Sequence, residues 1–217
     1  MIGGPVAAAG AWVAPSVLTL DRVAAATGTC GAPAVQVDWS DWTPSDPAPG
    51  SVTANDGTIV TLSSSDPLGV AGPDHFTLLN DTLGGTSDFL ASEMDGASNG
   101  QYVDITLAFS RAVQLCFTLL DVDRNSIRWE DTVTVMGTLS GVPVTLTPSD
   151  IVTGPDNTFV ASNTIRGILN GNTADSSAGA NATVAFPSPI DEVVIRYSDV
   201  SIWTAGQMIG IHDLLWC

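Results

Sequence analysis

The densest run of chemically capable side chains is Asp121-Val-Asp-Arg-Asn-Ser-Ile-Arg-Trp-Glu-Asp131. Asp121, Asp123 and Asn125 fall at alternate positions, so a turning backbone can aim three side-chain oxygens at one point. Glu130 and Asp131 can close the shell. An all-oxygen cluster suits a hard cation, and Ca2+ takes roughly six to eight oxygens from carboxylates, carbonyls and water. The first three positions match the start of an EF-hand loop. The match then stops, because no Gly follows Asn125 and the Glu comes too early. Arg124 and Arg128 interrupt the acids, so a loop closed by ion pairs is the competing expectation. Asp213 and Asp38 form a second candidate for a cation, near the two ends of the folded region.

Other chemistries find less support. Of six Trp, Trp42, Trp129 and Trp203 lie in or beside polar stretches, where flat rings can meet the C–H faces of sugars. Trp39 and Trp216 end alternating runs and belong to a core, which is the commoner fate of Trp in a sandwich. A serine triad needs a His base, and the chain has only His75 and His212. Neither has a nucleophile elbow beside it. A glycosidase needs two carboxylates about 5–10 Å apart, a condition so many acids meet by chance. Two His and three Cys are too few for a zinc site at ordinary spacing. No Gly-rich phosphate loop precedes a helix. Catalytic residues are therefore not expected. Two sequons, Asn80-Asp-Thr82 and Asn181-Ala-Thr183, matter only in a host that glycosylates.

These residues stand in a chain of 217 with 23 acids against six bases and a formal charge of −17. The bases are all Arg. Twenty of the acids are Asp, which favours turns and caps, where Glu would favour helices. Such a charge repels phosphate, so nucleic acid and anionic membrane surfaces are poor partners. Hydrophobic residues at 44% and charged residues at 13% exclude a disordered acidic chain.

The elements that must position the acids are strands. The apolar rhythm has period two. It is clear in Val35–Trp39, Thr58–Leu62, Tyr102–Phe109, Ala112–Leu120, Thr132–Met136, Val142–Leu146, Ala182–Phe186, Glu192–Tyr197 and Met208–Trp216, and weaker in Asp88–Met94. Ser110-Arg111 reads as a hairpin between two of these runs, and Leu139-Ser-Gly-Val142 as another. No run of ten residues is convincingly helical. Residues 43–51 are Pro-rich, and residues 167–179 are rich in Asn, Ser, Gly and Ala; both read as loops. Short strands punctuated by Gly, Pro, Asn and Asp imply an all-β fold, a single antiparallel β-sandwich of the jelly-roll kind, over residues 30–217.

Residues 1–26 differ. They are apolar up to Leu20 and end in Ala24-Ala-Ala26, as a secretory signal does, although no Lys or Arg precedes the apolar run. The alternative is an extended arm that adds a strand to a second copy and builds a fibre. No other stretch is long and apolar enough to span a membrane. Cys30 and Cys217 bracket the domain. If the first and last strands run antiparallel, these two meet, and a bridge closing so long a loop is worth up to about 5 kcal/mol. Cys116, mid-strand, then behaves as a small buried hydrophobe; the rival pairing is Cys116–Cys217. A disulfide and a signal both fit secretion.

Val37-Asp-Trp39, Leu107–Val113, Phe117–Arg124, Trp129–Val135 and Ile209–Leu214 together resemble secreted bacterial jelly-roll modules of surface and adhesin-like proteins, of the galactose-binding-like or carbohydrate-binding-module type. The resemblance spans residues 35–217. It implies a β-sandwich at the cell surface that binds carbohydrate or another surface polymer, often with a structural calcium ion. It also implies that Asp213, in the last strand, reaches that ion. It supplies no catalytic residues. The expectation is a secreted binding module. A structural fibre subunit using the amino-terminal arm and a β-sandwich hydrolase are the alternatives.

Overall fold

The computed structural model describes residues 34–95, 100–125, 129–161, 163–168, 173–199 and 207–216. Two antiparallel sheets face each other. The first, of seven strands, has the order β11(Ile151–Thr153), β14(Ala182–Ala185), β7(Leu115–Leu120), β16(Gln207–Trp216), β5(Phe89–Met94), β4(Thr77–Leu79), with β1(Ala34–Val37) added to β16. The second, of nine, has the order β12(Asn157–Ala161), β13(Thr164–Gly167), β9(Trp129–Leu139), β15(Ile190–Asp199), β6(Tyr102–Val113), β3(Ile59–Ser65), β2(Ser51–Thr53), with β8(Arg124–Asn125) and β10(Val142–Val144) on β9. Among the described residues the only helical pieces are three single 3-10 turns. The chain passes repeatedly from one sheet to the other, so that β5, β16, β7 and β14 in one layer face β6, β15, β9 and β13 in the other. These are two nested Greek keys.

Alternation fixes which side chains meet. Val103, Ile105 and Leu107 of β6, Val193 and Ile195 of β15, and Val133 and Val135 of β9 are fully buried, or nearly so. They face Leu115, Phe117 and Leu119 of β7 and Ile209, Ile211 and Leu214 of β16, in one continuous core. Trp39 and Trp216 belong to that core, Trp216 meeting Phe109 edge-on at 5.6 Å. Each such side chain is worth about 1.5–3 kcal/mol on burial.

The strand at Ala112–Leu120 departs from the expectation. Ser110-Arg111 is no hairpin: β6 continues through both residues to Val113, its register against β15 broken between Ala108 and Val113, and the chain then crosses into the other sheet. A two-residue turn needs backbone at positive φ, which Gly, Asn or Asp supplies and Ser-Arg does not. The expected hairpin at Leu139–Val142 does form, with Ser140 at φ 52° and Gly141 at φ 76°. The first and last strands pair antiparallel, Ala34 opposite Trp216. Cys116 is buried on β7. Cys30, Cys217 and the leader segment 1–26 lie outside the described residues. Among the described residues no helix is long and apolar enough to cross a membrane.

Candidate functional site

At the end of β7 the chain leaves the sandwich through Asp121-Val-Asp123 and returns along β9 through Glu130 and Asp131. Val122, fully buried, anchors this segment. Asp121 has φ 59°, a left-handed conformation that Asp tolerates better than most residues. Backbone then locks the return: Asp131 N donates to Asp123 O at 3.0 Å, and Asp123 N donates to the Asp131 carboxylate at 3.2 Å.

Three carboxyl groups gather here. Asp131 points into the end of the sandwich and is 2% exposed, with Tyr197 Oη donating to its Oδ1 at 2.5 Å. The same hydroxyl lies 3.4 Å from Gln207 Oε1. Asp123 is equally buried. Trp129 Nε1 donates to its Oδ1 at 3.0 Å and Thr173 N to its Oδ2 at 2.5 Å. Asp121 is half-buried, and its Oδ1 is shut off from solvent with no hydrogen-bond partner. Asp156, which accepts from Thr173 Oγ1 at 3.1 Å, and Asp175 add negative charge from two further loops.

Burial in this like-charged surrounding resists ionisation. Burial first, then Asp123 and Asp175, push the Asp121 carboxyl up to about 7. Burial raises Asp131 well above the usual carboxylate range, against the Tyr197 hydrogen bond. Burial raises Asp123 too, although Trp129 and Thr173 donate to it. The nearby bases among the described residues, Arg124 and Arg166, are spent elsewhere. Glu130, one residue from Asp131, faces the opposite side of β9, where Arg124 holds it at 2.7 Å and Arg166 at 3.3 Å.

The structure thus brings Asp121, Asp123 and Asp131 together and turns Glu130 away. The ion-paired loop weighed from the sequence exists, but on the outer face and through Glu130. Asn125 stands opposite Trp129 in the short β8–β9 pairing. Asp213 is in another place, roughly 20 Å farther along β16 than Gln207. Its Oδ1 accepts from Trp39 N at 3.1 Å and its Oδ2 lies 3.8 Å from His212 Nε2. Asp38 is near enough to Asp213 to repel it, and its carboxylate caps the turn at Trp39 by accepting from Ser40 N.

Trp42 is half-buried against the core, Trp129 is tied to Asp123, and Trp203 lies outside the described residues. Asp156, Thr173, Asp175 and Tyr197 were not foreseen. They come from three stretches of chain remote from Asp121–Asp131, Thr173 and Asp175 sharing one loop, and nothing local marks them.

As the side chains stand, among the described residues no three His, Cys, Asp or Glu groups converge as a ready metal shell. Every bonded oxygen of Asp123 and Asp131 nonetheless keeps a second lone pair, and Asp121 Oδ1 keeps both.

No family model matches the chain, and no curated protein matches it. Among solved structures it is similar to the enzymatically active domain of tailspike protein 4 of bacteriophage CBA120, at 16% identity and a TM-score of 0.28. The similarity covers 82% of this chain and 19% of that one. So low a score decides nothing about fold or activity.

Proposed function

We propose that this chain is a non-enzymatic β-sandwich binding module that works outside the cell, takes carbohydrate or another surface polymer as its partner, and holds a hard divalent cation, Ca2+ first, among Asp121, Asp123 and Asp131. The observation that carries the cation reading is the Asp121 carboxyl. It has a solvent-shielded oxygen without a partner, beside two buried carboxyls, in a pocket of charge that no described Arg enters. A divalent ion removes that repulsion and takes up the unused lone pairs. Because Asp121 Oδ1 is shielded from solvent, it suits an ion better than the acid–base work of a hydrolase. The polymer reading rests on the exposed outer side of the nine-stranded sheet. There Thr61, Ser63 and Ser65 are exposed opposite Ala108, Thr106 and Asp104 of β6, and farther along β6 the Tyr102 ring is stacked under the Arg196 guanidinium at 3.6 Å.

The test is thermal melting of the full chain in millimolar CaCl2, in MgCl2 and in chelator. A native-state site at 100 times its Kd adds about 2.7 kcal/mol, or roughly 5–10 °C for a chain this size. Superimposed melts at neutral pH would remove the cation from the account. Binding to a glycan array, with and without Ca2+, tests the partner, and a blank array in both conditions would leave the fibre-subunit alternative to be examined by sedimentation.

A further inference from the structure

On the outer side of the nine-stranded sheet one row of polar residues crosses five strands in register. Ser65 of β3 stands opposite Asp104 of β6, and Asp104 opposite Arg196 of β15. Arg196 stands opposite Thr134 of β9, and Thr134 opposite Thr164 of β13. The next residues along these strands, Ile105, Ile195, Val135 and Ile165, are buried, so the pleat turns the row outward. Strands lie about 4.8 Å apart, which makes the row about 19 Å long.

The centre of the row is fixed in place. Arg196 Nε and Nη2 donate to Asp104 Oδ1 and Oδ2 at 2.8 and 3.0 Å, and the Tyr102 ring holds the guanidinium flat. Arg196 Nη1 makes no bond among the described residues, and each Asp104 oxygen keeps a second lone pair. The Thr134 and Thr164 hydroxyls, 3.1 Å apart, share one hydrogen bond, so one O–H is left to donate. Charge is balanced on this side of the sheet: Arg124, Arg166 and Arg196 stand against Asp104, Glu130 and Glu192. The net charge of −17 therefore lies elsewhere on the chain. That field repels a polyanion or a second copy, and it leaves this side open to an uncharged partner. The row itself holds no apolar side chain, whereas a protein partner would bury an apolar centre.

We infer that this row is the contact strip for a neutral polysaccharide that lies across the strands. Asp104 accepts from one sugar hydroxyl, Arg196 Nη1 donates to its neighbour, and Ser65, Thr134 and Thr164 meet the hydroxyls on either side. This rests on the reading of this side of the sheet as the polymer-binding surface, and it names the class of the polymer and the direction in which it runs.

The test puts the full chain on an array of neutral and uronate-bearing glycans of increasing length, in chelator and again in CaCl2. Neutral glycans retain the wild type and uronates do not, and affinity rises with glycan length until the row is covered. Arg196→Met, which loses a charged donor, binds about 10–100-fold more weakly. Thr134→Val and Ser65→Ala, which lose neutral hydroxyls, each bind about 2–10-fold more weakly. Thr138→Val, about 14 Å farther along β9 on the same side, binds as the wild type does. Melting temperatures show which variants fold. Unchanged affinity in a folded Arg196→Met, or in Ser65→Ala and Thr134→Val should Arg196→Met not fold, overturns the strip and leaves the polymer reading standing. A preference for uronates overturns the neutral class. An array blank in both buffers overturns the polymer reading and the strip with it.

Discussion

The Asp121 carboxyl is where charge, burial and unused hydrogen-bonding capacity coincide. Its replacement separates cation binding from electrostatic strain. In chelator at pH 7.5, Asp121→Asn should melt higher than the wild type, because it removes a buried charge beside Asp123. In Ca2+ it should lose most of the calcium-induced shift. Calorimetry in the two buffers measures both, and a variant that retains the whole shift sinks Asp121 as a ligand. Glu130→Gln is the matching control. Its carboxylate serves Arg124 and Arg166 on the outer face, so the calcium shift should survive the change. Tyr197→Phe leaves the buried Asp131 without its hydroxyl donor, and urea unfolding should record a loss of about 1–3 kcal/mol.

At the level of strands and loops, the site depends on how closely β13 passes under the departing chain at Asp123. Gly167 ends β13 directly against the backbone of Asp123, and a Cβ there would meet the Asp123 carbonyl and the Arg124 nitrogen. Neither is a flexible side chain that can move aside. Gly167→Ala should therefore cost about 1–3 kcal/mol and weaken cation binding in the same protein. Gly141→Ala tests a turn instead: it faces open space but sits at φ 76° in the β9–β10 hairpin. It should lower the urea midpoint while leaving calcium affinity unchanged. If Gly167→Ala behaves like Gly141→Ala, the close backbone approach has no role in the site.

Across the whole molecule, the raised carboxyls set the response to pH. Burial raises Asp121, Asp123, Asp131, Asp213 and Glu93. A raised carboxyl binds its proton more tightly in the folded chain, so its contribution is full below the unfolded value near 4 and is lost as pH rises. For Asp121 that loss runs up through about 7. Half-buried His75 works the other way: partial burial lowers its value, which favours the fold above about pH 6.5 and opposes it below. Five carboxyls against one imidazole should make the cation-free protein melt higher at pH 5.5 than at pH 8. Calcium should reduce or reverse the trend, since it binds the ionised form. Below about pH 4 the trend turns. Burial disfavours ionised Asp56, but hydrogen bonds from Trp216, Thr58 and Arg111 outweigh it and hold its carboxyl below the usual range. Protonating Asp56 there costs stability. A cation-free melting profile that rises steadily from pH 5.5 to 8 would contradict the burial of these carboxyls.

The strands and the hairpin at Leu139–Val142 were legible because they are local; the antiparallel meeting of β1 with β16, which entered the sequence reading only as a condition, joins the two ends of the fold. Alternation of period two marks a strand and the face it buries, and Ser-Gly marks a turn. Asp121, Asp123 and Asp131 were legible as a group for the same reason: one excursion of the chain carries all three. What sequence spacing could not decide was the side of β9 on which each acid lies. Glu130 and Asp131 are adjacent, so the pleat must send them to opposite faces, one to Arg124 and Arg166 and the other to Tyr197. The continuation of β6 through Ser110-Arg111, the closing of the site by Thr173 and Asp156, and the grip of Asn181 on Asp121 depend on strands brought side by side by sheet order. Period and turn chemistry are properties of neighbouring residues, whereas contact between distant loops is a property of the packed sandwich.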